Sequence, residues 1–309
     1  MQVSDDTRGV DSGHLSGFVS IVGRPNTGKS TLLNTLVGSK VSIVSEKPQT
    51  TRNVIRGVVN GDGYQMVLVD TPGIHKPRHR LGEIMVSRAR SALADMDVVL
   101  FLLDASADIG AGDRYVAAEL SHVEVPVIVC LNKIDLVPPG RRDERSSEAS
   151  VLGPFLGPLA ISAKTGEGLD ALLKMLLSLL PPGPPYYPPG TVTDHPEKFI
   201  VGEIIREKIL ELTEQEVPHS VVVEIESMKE REGKPILDIS AFVYVERQSQ
   251  KGILIGAQGR LLKEVGRRAR LELERLLNTR IYLELWVKHK ESWRKDEQAL
   301  RRFGFYESE

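Results

Sequence analysis

The segment Gly23-Arg24-Pro25-Asn26-Thr27-Gly28-Lys29-Ser30 fits the pattern G-x-x-x-x-G-K-[ST], and its flanks give the pattern a fold. An apolar run, Phe18–Val22, precedes it, and an amphipathic stretch, Ser30–Val37, follows. Strand, glycine-rich turn and helix in that order present backbone N–H groups at a helix N-terminus, where phosphate oxygens are accepted. Such a unit buries its strand only inside a sheet covered by helices, so this part of the chain is held to an α/β architecture. Within the loop, Lys29 is placed to reach β- and γ-phosphates and the Ser30 hydroxyl to reach Mg²⁺, with Thr31 next to it on the helix.

The pattern around the loop agrees. Phe18–Val22, Gly57–Asn60, Gln65–Asp70, Val98–Asp104, Pro126–Leu131 and Leu159–Ser162 read as strands. Ser30–Val37, Gly82–Ala94, Asp113–Ser121 and Gly168–Leu180 read as helices, and Arg141–Ser150 as an exposed loop or short helix. VVLFLLD and VPVIVCLN are apolar at every step, as strands covered on both faces must be, which predicts a mostly parallel sheet with helices on both sides.

Three further motifs fall at the carboxyl ends of these strands, where open α/β sheets bind ligands. In Asp70-Thr71-Pro72-Gly73 the carboxylate is suited to hold Mg²⁺ through water and the Gly73 N–H to meet a γ-phosphate. Asn132-Lys133-Ile134-Asp135 ends the fifth strand and Ser162-Ala163-Lys164 the sixth. Asp135 is able to accept from guanine N1–H and the exocyclic amino group together. Adenine lacks that donor pair and would leave the carboxylate unpaired.

Pro181–Pro196 carries seven prolines in sixteen residues, so neither a helix nor a central strand runs through it. It predicts a stiff extended linker, with a proline-rich ligand for a partner domain as the alternative reading. Beyond it the pattern changes to helix, strand, strand, helix, helix, strand, a small α+β domain. The expected organisation is a tail over 1–16, a first domain over 17–180, the linker over 181–196, a second domain over 197–303 and a tail over 304–309.

The whole chain is close to neutral, with a formal charge of −2, yet the second domain divides its charge. Residues 192–246 hold 6 basic and 13 acidic side chains, and residues 247–302 hold 15 and 7. Balances of −7 and +8 point to a locally positive field for a polyanion, or to charges dispersed over solvated helices. The single cysteine, Cys130, excludes an internal disulfide and fits a reducing, cytoplasmic setting. No apolar run approaches the roughly 18 residues of a membrane span, and the polar N-terminus does not read as a secretory signal. His75, His79, His195, His219 and His289 have no spacing that suggests a metal site and read as loop and surface residues.

Taken in order, these motifs resemble the translation-factor class of P-loop GTPases, and Pro48-Gln49-Thr50-Thr51-Arg52 resembles the first switch of the Era family. The resemblance implies that Thr51 closes on Mg²⁺ and γ-phosphate, with Thr50 as the other candidate. Lys29, Thr51, Gly73 and Asn26 are then the expected catalytic positions. Ile74 stands where small signalling GTPases place a water-orienting glutamine, and an aliphatic chain cannot orient water by hydrogen bonding. Related GTPases with an apolar residue there use an asparagine in the P-loop to hold K⁺. Slow hydrolysis aided by K⁺ through Asn26 is therefore expected, with Asn26 as a turn residue the alternative.

In the second domain, Gly256-Ala257-Gln258-Gly259 lies between an apolar helix and a basic one. That order resembles a bacterial type II KH domain, whose GxxG loop clamps single-stranded RNA; a packing turn is the plainer reading. The resemblance implies RNA contacts from Lys251, Ile253, Ile255, Gly256, Ala257, Gln258, Gly259, Arg260, Lys263, Arg267 and Arg268, with Leu254 beside the isoleucines in the groove. Both halves together resemble the Era family, which implies GTP hydrolysis, binding of the 3′ end of 16S ribosomal RNA, 30S subunit assembly and no DNA partner. It also implies peripheral association with the inner face of the cell membrane, for which the local feature is the basic segment WVKHKESWRKDEQALRRF, otherwise a solvated helix closing the KH fold. A different class of function is a GTPase serving tRNA modification, with the GxxG domain as a protein-interaction module. A third is a nucleotide-gated structural protein with little turnover.

Overall fold

The computed structural model describes residues 13–45, 47, 50–72, 80–91, 95–214 and 217–306. Strand β1 (Leu15–Val22) leads into helix α1 (Lys29–Val37), followed by the hairpin β2 (Ile55–Gly61) and β3 (Tyr64–Asp70) and helix α2 (Arg80–Ser91). Then come β4 (Val98–Asp104), α3 (Ala111–Leu120), β5 (Val127–Asn132), α4 (Arg142–Ser150), β6 (Leu156–Ala160) and α5 (Leu169–Leu179). The sheet runs in the order β2-β3-β1-β4-β5-β6, with only β2 antiparallel to its neighbour.

Alternation along the central strands sorts side chains into two cores. Val98, Leu100 and Leu102 pack with Leu32 and Leu33 of α1 and Leu172 and Leu176 of α5. Val99, Phe101 and Leu103 face the other way, onto Val116 and Leu120 of α3 and Ala149 of α4. The sixth strand begins at Leu156, earlier than Leu159–Ser162 suggested. Gly157-Pro158 lies within it, which is tolerated because β6 is an edge strand, where a residue without an N–H leaves no ladder bond broken.

The chain after the first sheet forms α6 (Glu197–Leu212), α7 (Val217–Ser220), β7 (Val222–Glu230), β8 (Ile236–Val245), α8 (Gln248–Ile255), α9 (Arg260–Leu277), β9 (Arg280–His289) and α10 (Glu297–Arg302). β8 pairs antiparallel with β7 and parallel with β9. One face of this sheet packs on α6, α8 and α9 through Ile205, Ile209, Leu254, Val265 and Leu273.

The linker is not a free spacer. It is strapped along the first sheet. Ser16 N–H donates to Pro181 O at 3.1 Å, Gln65 exchanges two bonds of 2.9 Å with the Tyr187 backbone, and Val58 N–H donates to Val192 O at 2.9 Å. The last of these covers the β2 edge, an otherwise open pairing surface. His195 is correspondingly half-buried, its Nε2 lying 3.1 Å from Val54 O and its ring stacked on Phe199 at 4.4 Å.

Both expected tails are shorter than their sequence suggested. β1 already begins at Leu15, whose N–H donates to Gly63 O at 2.9 Å. At the other end Phe305 is buried and stacks on Trp293 at 5.9 Å. Trp293, Leu300 and Phe305 form a further core with Leu81 and Met85 of α2, so the C-terminal segment closes the second domain and joins it to the first.

Candidate nucleotide and RNA sites

The turn between β1 and α1 is built from positive-φ positions: Gly23 (φ 156°), Asn26 (φ 68°) and Gly28 (φ 97°). A Cβ on Gly28 would collide with Asn132 Nδ2, and one on Gly23 with Leu102 O, so both glycines are fixed by close approach as well as by φ. Asn132 staples two loops. Its Nδ2 donates to Thr27 O at 2.8 Å and its Oδ1 accepts from Ala163 N–H at 2.9 Å. Lys29 is buried, and its Nζ donates to Gly23 O at 3.0 Å and Arg24 O at 2.7 Å. Burial pushes its pKa down to about 8, against the nearby Asp70 charge.

Three hydroxyls converge on one carboxylate oxygen. Ser30 Oγ, Ser42 Oγ and Thr51 Oγ1 lie 2.7, 3.0 and 3.3 Å from Asp70 Oδ2, and Ser30 and Thr51 are 3.1 Å from each other. Asp70 Oδ1 is buried with no protein donor among the described residues. Burial raises the Asp70 pKa, with Lys29 the main opposing influence. A carboxylate with one unpaired buried oxygen, beside neutral hydroxyl oxygens and next to a phosphate cradle, fits a hard dication such as Mg²⁺. The geometry also separates the two threonines: Thr50 Oγ1 donates to Lys47 O at 2.5 Å, and Thr51 joins the cluster. Ser42 was not expected here, since the loop after α1 carries no motif at that position.

At the opposite end, Ser162 Oγ donates to Asp135 Oδ1 at 2.7 Å, which fixes the carboxylate. Lys133, at φ 69°, places its ammonium 2.6 Å from Asp104 Oδ2, so its stem rather than its charge faces the site. A cavity of about 780 Å³ joins the two ends, lined by Pro25, Asn26, Gly28, Lys29, Ser30, Thr31, Thr50, Thr51, Asn132, Lys133, Asp135, Ala163 and Lys164. Gly23, Thr27, Asp70, Thr71, Pro72 and Ser162 stand behind this lining; Thr71 Oγ1, for example, donates inward to Ile21 O at 3.1 Å. Arg24 turns away, its Nε donating to buried Asp113 Oδ1 at 2.6 Å. Gly73, Ile74, His75 and His79, with Pro48 and Gln49, lie outside the described residues, as does the side chain of His219.

Sequence reasoning missed Val44, Ser45, Lys47, Leu136, Leu210 and Glu211 in this wall. The last two belong to α6 of the second domain, and no local signal announces them. The same helix holds the chain on either side of Lys47: Glu207 Oε1 accepts from Val44 N–H at 2.8 Å, and Arg206 Nη2 donates to Thr50 O. The two domains share an interface at the nucleotide site.

In the second domain, Gly256 adopts φ 71° and ψ 175°, a region open to glycine alone, and a Cβ there would lie 2.9 Å from the Leu261 side chain. Gln258 is left-handed at φ 55°, so the GxxG turn is sharp and its two middle residues are exposed. Ile253 is exposed and Ile255 half-buried, but Leu254 is wholly buried in the core and supplies no groove. Lys263 and Arg260 are exposed on α9. Arg267 and Arg268 are paired with Glu264, at 2.7–2.8 Å and 2.8 Å, which reduces the field that their charges suggested. Among the described residues no helix is long and apolar enough to cross a membrane.

Comparison with known proteins agrees with both halves. A family model described as a 50S ribosome-binding GTPase matches residues 18–133, and a KH domain model matches residues 216–294. GTPase Era of Carboxydothermus hydrogenoformans is 50% identical over 96% of this chain and 99% of its own length. GTPase Era of a Thermoanaerobacter species is 48% identical over 95% and 97%. A crystal structure of a tyrosine-to-alanine variant of Aquifex aeolicus Era bound to GDP and aluminium fluoride superposes with a TM-score of 0.91 at 41% identity, covering 94% of this chain and 99% of that one. An Era structure with MgGDPNP and nucleotides 1506–1542 of 16S ribosomal RNA matches equally, at 41% identity and TM-score 0.91 over the same shares. Identity of this extent, spread over both domains and the strap between them, places the chain in the GTPase Era family.

Proposed function

We propose that this GTPase couples hydrolysis of GTP to binding of the 3′ end of 16S ribosomal RNA during maturation of the 30S subunit. The observation that carries the reading is helix α6, which joins the nucleotide cavity to the core beneath the GxxG unit. Its Leu210 and Glu211 line the nucleotide cavity, while Ile205 and Ile209 pack in the core shared with α9, the helix that follows the GxxG turn. A 41% identical Era protein has been solved with MgGDPNP and that RNA segment.

In this reading the turn N–H groups and Lys29 hold the phosphates, Asp135 selects guanine, and Ser30, Thr51 and Asp70 hold Mg²⁺. When bound, the ion neutralises charge between the β- and γ-phosphates. Asn26, exposed beside the cavity, is the K⁺ ligand, and hydrolysis runs faster in K⁺ than in Na⁺ at equal ionic strength. Asn26→Ala removes that difference, and equal rates in the two salts for the parent chain would exclude the role. Peripheral membrane association would use the exposed Trp286 with Lys288, Lys295 and Arg301, whereas Trp293 and Leu300 are buried.

The test is titration of a labelled RNA from the 16S 3′ end into the full chain loaded with a non-hydrolysable GTP analogue or with GDP. Tighter binding in the analogue state is expected, weakening with salt as counterion release requires. The same affinity for an unrelated RNA of equal length would overturn the assignment and favour a tRNA or protein partner.

A further inference from the structure

A second cavity, of about 180 Å³, lies at the joint between the two domains, and its lining differs in kind from that of the nucleotide site. Arg52, directly after Thr51, lines it from the first domain, and Lys198, Glu203 and Arg206 line it from α6. Phe199 and Phe303 supply apolar wall. Three cations therefore surround one carboxylate. That carboxylate is already engaged: Glu203 accepts from Arg206 Nε at 2.8 Å and from Nη2 at 2.7 Å. Nη2 also donates to Thr50 O.

The remaining nitrogen, Arg206 Nη1, is buried and meets no protein acceptor among the described residues. Buried polar groups, charged ones above all, are rarely left in that condition. Arg52 and Arg206 also repel each other. That repulsion is second only to burial in lowering the Arg52 pKa; Arg294 adds to it, and Glu203 and Glu246 oppose it. What the joint lacks is a compact acceptor carrying negative charge.

We propose that this cavity binds a small oxyanion of the phosphate class, held by Arg206 Nη1 and the Lys198 ammonium beside the Arg52 guanidinium. Size limits the ligand. Pockets for nucleotide-sized molecules span roughly 300–1,000 Å³, whereas this one suits a single oxyanion with little else. Exposed Lys198 gives the ion a route in from solvent. A bound anion fastens residues 50–52 to α6 while Thr51 keeps its place on Asp70, so the site steadies the joint between the domains.

The experiment uses the full chain saturated with Mg²⁺ and a non-hydrolysable GTP analogue, so that every phosphate position of the P-loop is filled. Inorganic phosphate is titrated at constant ionic strength against chloride, read by phosphorus NMR line broadening and by the thermal midpoint. One saturable site with a rise in midpoint is expected. Lys198→Glu, at an exposed position outside the nucleotide machinery, should weaken phosphate about tenfold or more without changing affinity for the analogue. Arg206→Gln should abolish phosphate binding; if that variant fails to fold, Lys198→Glu alone decides. A parallel titration with a pyrimidine mononucleotide separates sources: binding by the ester supports an anion carried on a larger molecule, and binding by inorganic phosphate alone supports the free ion. Absence of saturable binding by either would mean that water alone serves Arg206 Nη1. Binding unchanged in both variants would place the ion elsewhere. Each of these two results overturns the proposal.

Discussion

Burial holds the Lys29 ammonium at a pKa of about 8, well below the usual 10.5 of lysine, and the sign of that shift has consequences. Between pH 8 and 10.5 the unfolded chain binds more protons at this residue than the folded one, so its cost to stability is full below pH 8 and fades as pH rises. Bound phosphates restore the charged form. Nucleotide binding should therefore take up a proton above pH 8 and weaken with rising pH, as calorimetry in buffers of different ionisation enthalpy would read. Binding without proton uptake just above pH 8 would contradict it. Asp135 makes a second prediction at this scale. Ser162 fixes Oδ1, and Asp135→Asn exchanges an acceptor for a donor in that fixed position, so preference should move from guanosine to xanthosine nucleotides by about a hundredfold or more. A competition assay with both triphosphates measures the switch, and unaltered preference would remove Asp135 from base selection.

Among the elements, the α8–GxxG–α9 unit offers the cleanest separation of fold from binding. Leu254, Val265, Ala269 and Leu273 anchor the two helices in the core, while Ala257 and Gln258 stand clear of it. Gln258 occupies a left-handed position, which aspartate tolerates better than most residues do. Replacing both by Asp puts two carboxylates where RNA phosphates are expected, and like charges so placed cost several kcal/mol. RNA affinity should fall at least about tenfold with the circular dichroism spectrum unchanged. Retained affinity in the folded variant would reduce the turn to a packing device. Basal GTP hydrolysis is a useful second reading, because the sites are less separate than the proline-rich strap implies: α6 reaches the nucleotide cavity itself.

For the molecule as a whole, Trp293 is the residue on which the joint turns. It is fully buried, its Nε1 donates to Ser220 O at 2.8 Å, Phe305 stacks on it, and Arg52 lies over it at 5.9 Å. Arg52 in turn donates to Val221 O at 2.5 Å and Pro218 O at 3.0 Å, across the domain boundary. Removing a buried tryptophan commonly costs about 3–5 kcal/mol. Trp293→Ala should lower the urea midpoint accordingly and split a shared unfolding transition into two. A single transition at the parent midpoint would show that the domains do not depend on this contact.

The sequence alone settled whatever depends on contiguous residues. The P-loop, the strand-end motifs and the GxxG turn each need particular residue types within a few positions, because one backbone turn presents them. Gly256 shows the reason most plainly, since its φ and ψ admit no other residue. Strand and helix periods likewise repeat locally, so the order of elements was legible while their ends shifted, as at β6 and β1. What only the tertiary structure decided came from residues distant along the chain. Ser42 on Asp70, Leu210 and Glu211 in the nucleotide wall, Leu254 in the core rather than a groove, and Arg267 and Arg268 paired with Glu264 all depend on which faces meet. Glycine and proline patterns state what a backbone is able to do. They do not state which helix will pack against it, because that follows from burial summed over the whole chain.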